Sequence, residues 1–237
     1  ETPAGKFERE IVQRSTDDLP AGDVLVQVHY SALNYKDGLS ATGHKGITRK
    51  FPHTPGIEAA GKVIESTSDK FREGNEVFVT GYDLGMNTSG AFAEYIRVPA
   101  DWLIAKPSIL SCKDTMTIGT AGFTAAYALH KMELMGQTPD YGPIVVTGST
   151  GGVGSLAVAI LAKAGYEVIA VTGKREAEDY LKFLGAARVE PREFLNDSLG
   201  KPLSRAMWAG AIDTVSGTML TTLLKRCRRD GNVALRR

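Results

Sequence analysis

Cysteine is nearly absent. Cys112 and Cys227 are the only two in 237 residues, far apart and without a C-x-x-C pair. That argues against a disulfide framework and against a structural zinc ribbon, and both thiols are expected to be ordinary and reduced. Histidine is scarce too: His29, His44, His53 and His130 have no metal-like spacing. Neither charge sign dominates. With 28 Lys and Arg against 27 Asp and Glu, the net charge of +1 implies no general attraction to nucleic acid or to a membrane surface. No apolar run is long enough to span a bilayer. No signal peptide is read in the sequence, and the two reduced thiols fit a cytoplasmic protein, the expected location. There is no internal repeat and no low-complexity tract.

What is present is the composition of a globular protein, 43% hydrophobic and 23% charged, at a length that suits one large or two ordinary domains. Glu1 is not an initiator Met, and residues 231–237 read as a strand that opens a new unit. A doubly wound sheet is expected to continue beyond it.

The most informative stretch is Val145-Val146-Thr147-Gly148-Ser149-Thr150-Gly151-Gly152-Val153-Gly154-Ser155. A β-branched apolar run enters a glycine-rich turn, and the turn enters a helix-like run, 156–164. Strand, glycine turn, helix is the context in which such a turn binds phosphate. Small residues admit a pyrophosphate to the backbone, and the free N–H groups of the helix start face its charge. Against the common G-x-G-x-x-G pattern, Ser149 replaces the first glycine, while Gly151 and Gly154 hold the second and third places. The plainer alternative is a tight strand–helix turn with no ligand.

The following strand ends at Thr172, and Gly173, Lys174 and Arg175 follow it. A site for NAD has an acid near here to accept from the ribose 2′-hydroxyl. Glycine leaves room for a 2′-phosphate and two cations can pair with it, which favours NADPH. The alternative is a pair of solvated loop charges.

Two patterns meet near residue 110. Before it, short runs at 24–30, 61–65, 76–80 and 91–98 are separated by Gly, Pro and Asp, as in an antiparallel β-barrel-like unit. After it, helices and strands alternate. A helical region at 112–135, broken near Gly119–Gly122, precedes strand 144–148, helix 152–164, strand 167–172, helix 175–184, strand 187–190, strand 211–215 and a helix near 217–226. That order predicts parallel βαβ units.

Several segments resemble those of the medium-chain dehydrogenase/reductase superfamily. Gly56-Ile57-Glu58-Ala59-Ala60-Gly61 is similar to the G-H-E-x-x-G segment of zinc alcohol dehydrogenases, Phe71-Arg72-Glu73-Gly74-Asn75-Glu76-Val77 to their F-x-x-G-D-x-V turn, and Gly90-Ala91-Phe92-Ala93-Glu94-Tyr95 to their G-x-x-A-E-Y strand. The resemblance covers nearly the whole chain. It implies an α/β protein with a GroES-like β-barrel catalytic domain over 1–110. A Rossmann doubly wound parallel sheet that binds NADPH follows over 111–237, incomplete at its C-terminal end. At the positions of the catalytic zinc ligands stand Asn34, Ile57 and Thr117, none of them a Cys or His, and the four-cysteine structural lobe is missing. The nearer resemblance is therefore to the zinc-free NADPH quinone oxidoreductases. Asn34-Tyr35-Lys36-Asp37-Gly38, Arg49-Lys50-Phe51-Pro52, Ala100-Asp101-Trp102-Leu103 and Ile118-Gly119-Thr120-Ala121-Gly122-Phe123-Thr124-Ala125 are similar to the acryloyl-CoA reductase group within them.

The resemblance implies hydride addition to an alkene conjugated to a carbonyl, with no metal. Hydride reaches the β-carbon, donors stabilise the enolate oxygen, and a proton reaches the α-carbon. Asn34 and Tyr35 are the candidate catalytic donors; a buried core aromatic is the alternative for Tyr35. Asp37 is expected to hold local backbone or Lys36. Thr120 and Thr124 could contact the nicotinamide, or cap and back-bond their helix. The candidate cofactor-binding residues are then Thr120, Thr124, Ser149, Gly151, Gly152, Val153, Gly154, Thr172, Gly173, Lys174, Arg175 and Val215. Asp213, Val215 and Ser216 end a strand, and strand-end capping is their plainer role. His44 is a remote candidate for substrate contact, and Arg49 and Lys50 are candidates for a CoA phosphate. The partners implied are a small enoyl or quinone substrate and a second copy in a homodimer. An NADPH quinone or enone reductase and a non-catalytic NADPH-binding redox sensor are the competing readings.

Because Asn34, Ile57 and Thr117 stand where zinc ligands would, the purified protein is expected to carry no stoichiometric zinc. Elemental analysis that finds about one tightly held zinc per chain, as a true ligand set would give, contradicts this.

Overall fold

The structure is a computed structural model that describes residues 7–196 and 204–235. It divides into two compact units, Glu1–Thr120 and Ala121–Arg237. The division falls after residue 110, because the helix that begins at Cys112 packs Cys112 and Met116 against Ala60 of the first unit.

The first unit is built on a five-stranded antiparallel sheet. Its strands are β1 (Val24–Tyr30), β2 (Glu58–Ser66), β3 (Glu76–Thr80), β4 (Tyr95–Val98) and the two-residue β5 (Ile104–Ala105), in the order β4-β1-β2-β3-β5. β3 alternates inward Val77 and Val79 with more exposed neighbours, as a sheet with one solvated face requires. These two valines join Val24, Val26, Val63 and Ile96 in the core. The strand expected over 91–98 begins only at Tyr95. The N–H groups of Ala91 and Phe92 instead donate to the carbonyls of Gly56 and Pro55, which takes that stretch out of the ladder. A short helix, α1 (Tyr35–Ala41), lies before β2.

α1 is held at its start by a buried carboxylate. Asp37 Oδ2 accepts the N–H of Asn34 at 2.7 Å, and Oδ1 accepts those of Gly56 and Ile57 at 3.1 Å each. Burial holds the Asp37 carboxyl above its usual range, against the lowering pull of these three N–H groups, and the Glu58 charge adds to the rise. A folded-state value above the unfolded one means that ionised Asp37 opposes folding at neutral pH. The residue is kept for what it organises.

The second unit is a parallel sheet of β6 (Ile144–Thr147), β7 (Val168–Thr172), β8 (Arg188–Pro191), β9 (Trp208–Asp213) and β10 (Cys227–Leu235) in the order β10-β9-β6-β7-β8. Every pairing is parallel. Its helices are α3 (Gly152–Lys163), α4 (Glu178–Phe183) and α5 (Thr218–Arg226), with the long α2 (Cys112–Leu134) entering from the first unit. β6, β7 and β9 are buried along their whole length, as strands covered on both faces must be. Ile144, Val146, Val168 and Ala170 face one core layer with Ala157, Val158 and Leu161 of α3, while Val145, Ile169 and Val171 face the other with Trp208 and Leu223. α3 buries Gly154, Ala157, Val158 and Leu161, the i, i+3, i+4, i+7 stripe of an amphipathic helix.

The predicted alternation is therefore observed, with adjusted boundaries. The helix expected over 175–184 opens as a single 3₁₀ turn before α4. β9 stops at Asp213 and not at 215, because the Asp213 carboxylate accepts the N–H groups of Val215 and Ser216 and turns the chain. The strand predicted over 231–237 is the second half of β10, and residues 236 and 237 lie outside the described residues. Among the described residues, no helix is long and apolar enough to cross a membrane.

Asp37→Ala leaves two buried N–H groups and one part-buried one without their acceptor, at roughly 1–3 kcal/mol for each one not rescued by water. It is expected to lower unfolding free energy by at least ~2 kcal/mol in urea titration. A change below ~0.5 kcal/mol would show that other acceptors replace it.

Candidate functional site

In the second unit the strand order reverses between β6 and β9, the place where an open parallel sheet binds ligands at its carboxyl ends. β6 leads to this point, and Gly151 caps α3 there. The N–H groups of Gly152, Val153 and Gly154 open the helix and have no acceptor in an earlier turn. A Cβ on Gly154 would lie 2.2 Å from the Gly148 carbonyl oxygen, so only glycine lets the helix start this close to the strand end. Gly151 and Gly152 are exposed and Val153 half-buried, which leaves the N–H cradle open on its outer side. Ser149 is buried, and its hydroxyl donates to the Val146 carbonyl at 2.7 Å. Its side chain shapes the turn.

Beside the cradle, Asp213 is fully buried. It accepts the Thr147 hydroxyl and the N–H groups of Val215 and Ser216. Thr214 returns two bonds to Thr147, from N–H to hydroxyl at 3.0 Å and from hydroxyl to carbonyl at 2.8 Å. The loop carrying Val215, which is 43% exposed, is thus tied to the end of β6. The Asp213 carboxylate thus caps the end of β9.

At the end of β7, Thr172 accepts the N–H of Lys174 at 3.0 Å. Gly173, Lys174 and Arg175 are exposed. A cavity of about 230 Å³ opens between Thr172, Arg175, Glu178, Val189, Glu190 and Pro191. Both acids in its wall have cationic partners: Glu178 pairs with Lys182 at 2.7 Å and Glu190 with Arg188 at 2.6 Å. Arg192 was missed by sequence reading. A Cβ on Gly173 would lie 2.7 Å from its Nε, so the guanidinium covers the glycine. The register of β7 on β8, which sets Thr172 opposite Pro191, brings it there. Sequence proximity to a strand end was its only signal. The space expected beside Gly173 is filled by the Arg192 guanidinium, so a phosphate there would be met by charge and not by room. The N–H cradle and the three cations Lys174, Arg175 and Arg192 together suit a dinucleotide with an added phosphate.

In the first unit, Asn34 and Tyr35 begin α1. Asn34 is half-buried, and its Nδ2 donates to Glu58 Oε1 at 2.6 Å. Tyr35 is 85% exposed, which removes the core-aromatic alternative. Glu58 was missed as a site residue. It is only 1% exposed, and its Oε2 accepts from the Thr120 N–H at 2.6 Å and the Thr120 hydroxyl at 2.8 Å. α2 breaks at Gly119, whose φ of 46° a side chain would rarely adopt and whose added Cβ would lie 2.8 Å from both Glu58 oxygens. That break delivers the Thr120 N–H to the carboxylate. Thr124 is half-buried one turn further along α2. Of the other positions compared with zinc ligands, Ile57 is buried, and Thr117 is exposed with its hydroxyl donating to the Lys113 carbonyl at 2.9 Å. Among the described residues, no group of three or more His, Cys, Asp or Glu is placed to hold a metal ion. His44 accepts the Gly46 N–H at 3.2 Å and so serves its own loop. The Arg49 N–H donates to Asn87 Oδ1 at 3.4 Å, and Arg49 and Lys50 are both exposed.

Comparison with known proteins agrees with this fold. Residues 20–108 match the family described as Alcohol dehydrogenase GroES-like domain. YhfP of Bacillus subtilis, which carries the name of a quinone oxidoreductase, is 49% identical over 221 residues, 93% of this chain and 67% of its own. Its crystal structure with NAD bound superposes with a TM-score of 0.92, covering 97% of this chain and 72% of that one. Acrylyl-CoA reductase AcuI of Ruegeria pomeroyi is 44% identical over 231 residues, 98% of this chain and 70% of its own. The crystal structure of Escherichia coli YhdH with bound NADPH has a TM-score of 0.94 at 47% identity, over 99% of this chain and 72% of that one. The chain thus spans about two thirds of the length of YhfP.

Proposed function

We propose that this chain, which belongs to the zinc-free group of the medium-chain dehydrogenase/reductase family, is an NADPH-dependent oxidoreductase. Its reaction is reduction of a C=C bond conjugated to a carbonyl, with acryloyl-CoA or a similar enoyl thioester as substrate. The observation that carries this reading is the Asn34 amide. A buried carboxylate at 2.6 Å holds it, and the family resemblance sets it at the position of a zinc ligand. The AcuI name supports the substrate class.

The second unit holds the dinucleotide. The N–H groups of Gly152, Val153 and Gly154 take the pyrophosphate, and Val215 borders the nicotinamide end. Thr172, Lys174, Arg175 and Arg192 surround the 2′-phosphate, with the Arg192 guanidinium lying over Gly173. NADPH, when bound, supplies the hydride. The first unit supplies the acceptor chemistry. An amide N–H of Asn34 donates to the thioester oxygen as negative charge grows on it, a contact stronger in the transition state than in the ground state. Tyr35, exposed and phenolic, is suited to deliver the proton to the α-carbon. The Thr120 hydroxyl donates to Glu58, and Thr120 and Thr124, one turn apart on α2, are candidates for contact with the nicotinamide. A cytoplasmic location and a homodimer belong to the same reading.

A quinone or enone acceptor is the second reading, supported by the YhfP name; NAD bound to that relative argues for measuring both cofactors.

The test is a kinetic panel on wild type, Asn34→Ala, Tyr35→Phe and Lys174→Ala/Arg175→Ala. Acryloyl-CoA and a quinone serve as acceptors and NADPH and NADH as donors. Asn34→Ala and Tyr35→Phe are expected to lower acryloyl-CoA turnover by about 10², with NADPH affinity little changed. The double variant is expected to lose the preference for NADPH, since charge-assisted phosphate contacts contribute roughly 1.5–3 kcal/mol each. Wild-type turnover in Asn34→Ala and Tyr35→Phe moves the donors elsewhere. Turnover of the quinone alone selects the second reading, and turnover of neither acceptor leaves a dinucleotide-binding protein.

A further inference from the structure

We infer that Glu58 is a positioning residue for the reduction, one that fixes which edge of the Asn34 amide faces a substrate; this rests on the reading of Asn34 as the acceptor's hydrogen-bond donor. Glu58 lies on β2, a strand otherwise rich in buried Ala and Val, and is itself 1% exposed. A charge so placed needs donors, and three reach it. Oε1 accepts from Asn34 Nδ2 at 2.6 Å; Oε2 accepts from the Thr120 N–H at 2.6 Å and from the Thr120 hydroxyl at 2.8 Å. The Glu58 backbone is pinned as well, since the Ser31 hydroxyl donates to its carbonyl at 2.7 Å.

A carboxylate only accepts. Facing one, an asparagine must turn its NH₂ toward it and its carbonyl oxygen away, so the amide orientation follows from chemistry. Asn34 is gripped at both ends: Asp37 holds its backbone N–H at 2.7 Å and Glu58 its side-chain nitrogen. One side-chain N–H is thereby committed. The second, fixed in direction by the planar amide, is the donor offered to the thioester oxygen. Holding a donor to a fraction of an ångström is what lets it act on charge that develops only in the transition state. The same carboxylate accepts a hydrogen bond from the Thr120 hydroxyl, so that O–H does not compete with Asn34 as a donor.

Glu58→Gln keeps the shape and replaces one accepting oxygen by a donor. The glutamine oxygen suits the side with two Thr120 donors, which leaves its NH₂ against Asn34. Asn34 must then rotate its carbonyl oxygen inward. The experiment combines turnover of acryloyl-CoA for wild type, Asn34→Ala, Glu58→Gln and the double variant with NADPH titration and ¹⁵N–¹H NMR of the Asn34 side-chain amide, assigned by its loss in Asn34→Ala. Glu58→Gln is expected to lower kcat about 10- to 100-fold with NADPH affinity unchanged and to move both Asn34 side-chain resonances. The double variant is expected to lose no more than Asn34→Ala alone, because both changes remove one contact. Turnover lost in Asn34→Ala but kept within twofold in Glu58→Gln overturns the role of Glu58. So do losses that multiply in the double variant, as they would if Glu58 merely supported the fold. Wild-type turnover in Asn34→Ala overturns the reading of Asn34, a different failure. Should Glu58→Gln not fold, wild type decides: one Asn34 side-chain N–H shifted downfield and protected from exchange supports the grip, and two equivalent, rapidly exchanging ones overturn it.

Discussion

A carboxylate removed from water has to be met by hydrogen-bond donors, and donors are most readily taken from backbone at the ends of strands and helices. Asp37, Glu58 and Asp213 are each buried and each drawn into such a place. Asp37 ties the start of α1 to the backbone before β2, Glu58 ties the side chain of Asn34 to the break in α2, and Asp213 ties the loop after β9 to the end of β6. Removing any of them strands two or more donors, so these loops are fixed by a demand stronger than loop packing alone. Asp37 shows the cost most plainly, since burial outweighs the donors and holds its carboxyl above the usual range. What the protein obtains is rigidity in the segments that bear Asn34, Thr120 and Val215.

The parallel sheet supplies the other half of the account. β6 and β7 are buried on both faces and lead to exposed glycines and cations, so apolar packing fixes the positions from which the phosphate-facing groups project. Gly154 links the two levels. Its missing side chain lets α3 pack close to the end of β6 and directs the helix-start N–H groups toward anionic charge. Gly173 and Arg192 repeat the arrangement at the next strand, with a guanidinium occupying the space a side chain would fill.

Much of this was legible in the residues alone. The run from Val145 to Gly154 carries a strand signal, a turn signal and a helix signal in order, and each is local. Lys174 and Arg175 follow Gly173 directly and could be read as a phosphate site for the same reason. Long-range features were not legible. Glu58 sits in a stretch, Glu58–Ser66, that also carries Lys62 and Glu65, and a charge at the start of a strand ordinarily marks a solvated edge. Its burial depends on donors from residues 34 and 120, which only the folded chain brings to it. Arg192 needed the register of β7 on β8. α1 has seven residues with Gly38 inside, too short for a helical period to show. The segment at 91–94 alternates like a strand, yet its N–H groups found acceptors at Pro55 and Gly56.

The central claim is that this protein adds a hydride to the β-carbon of a conjugated thioester with donors from its own side chains. It is tested most directly by isotope placement. Acryloyl-CoA is incubated in ordinary water with the protein and NADPH dideuterated at nicotinamide C4, and the propionyl-CoA is examined by NMR. The account predicts one deuterium on the β-carbon and a solvent proton on the α-carbon. Propionyl-CoA without deuterium at the β-carbon, or no propionyl-CoA at all, would contradict it.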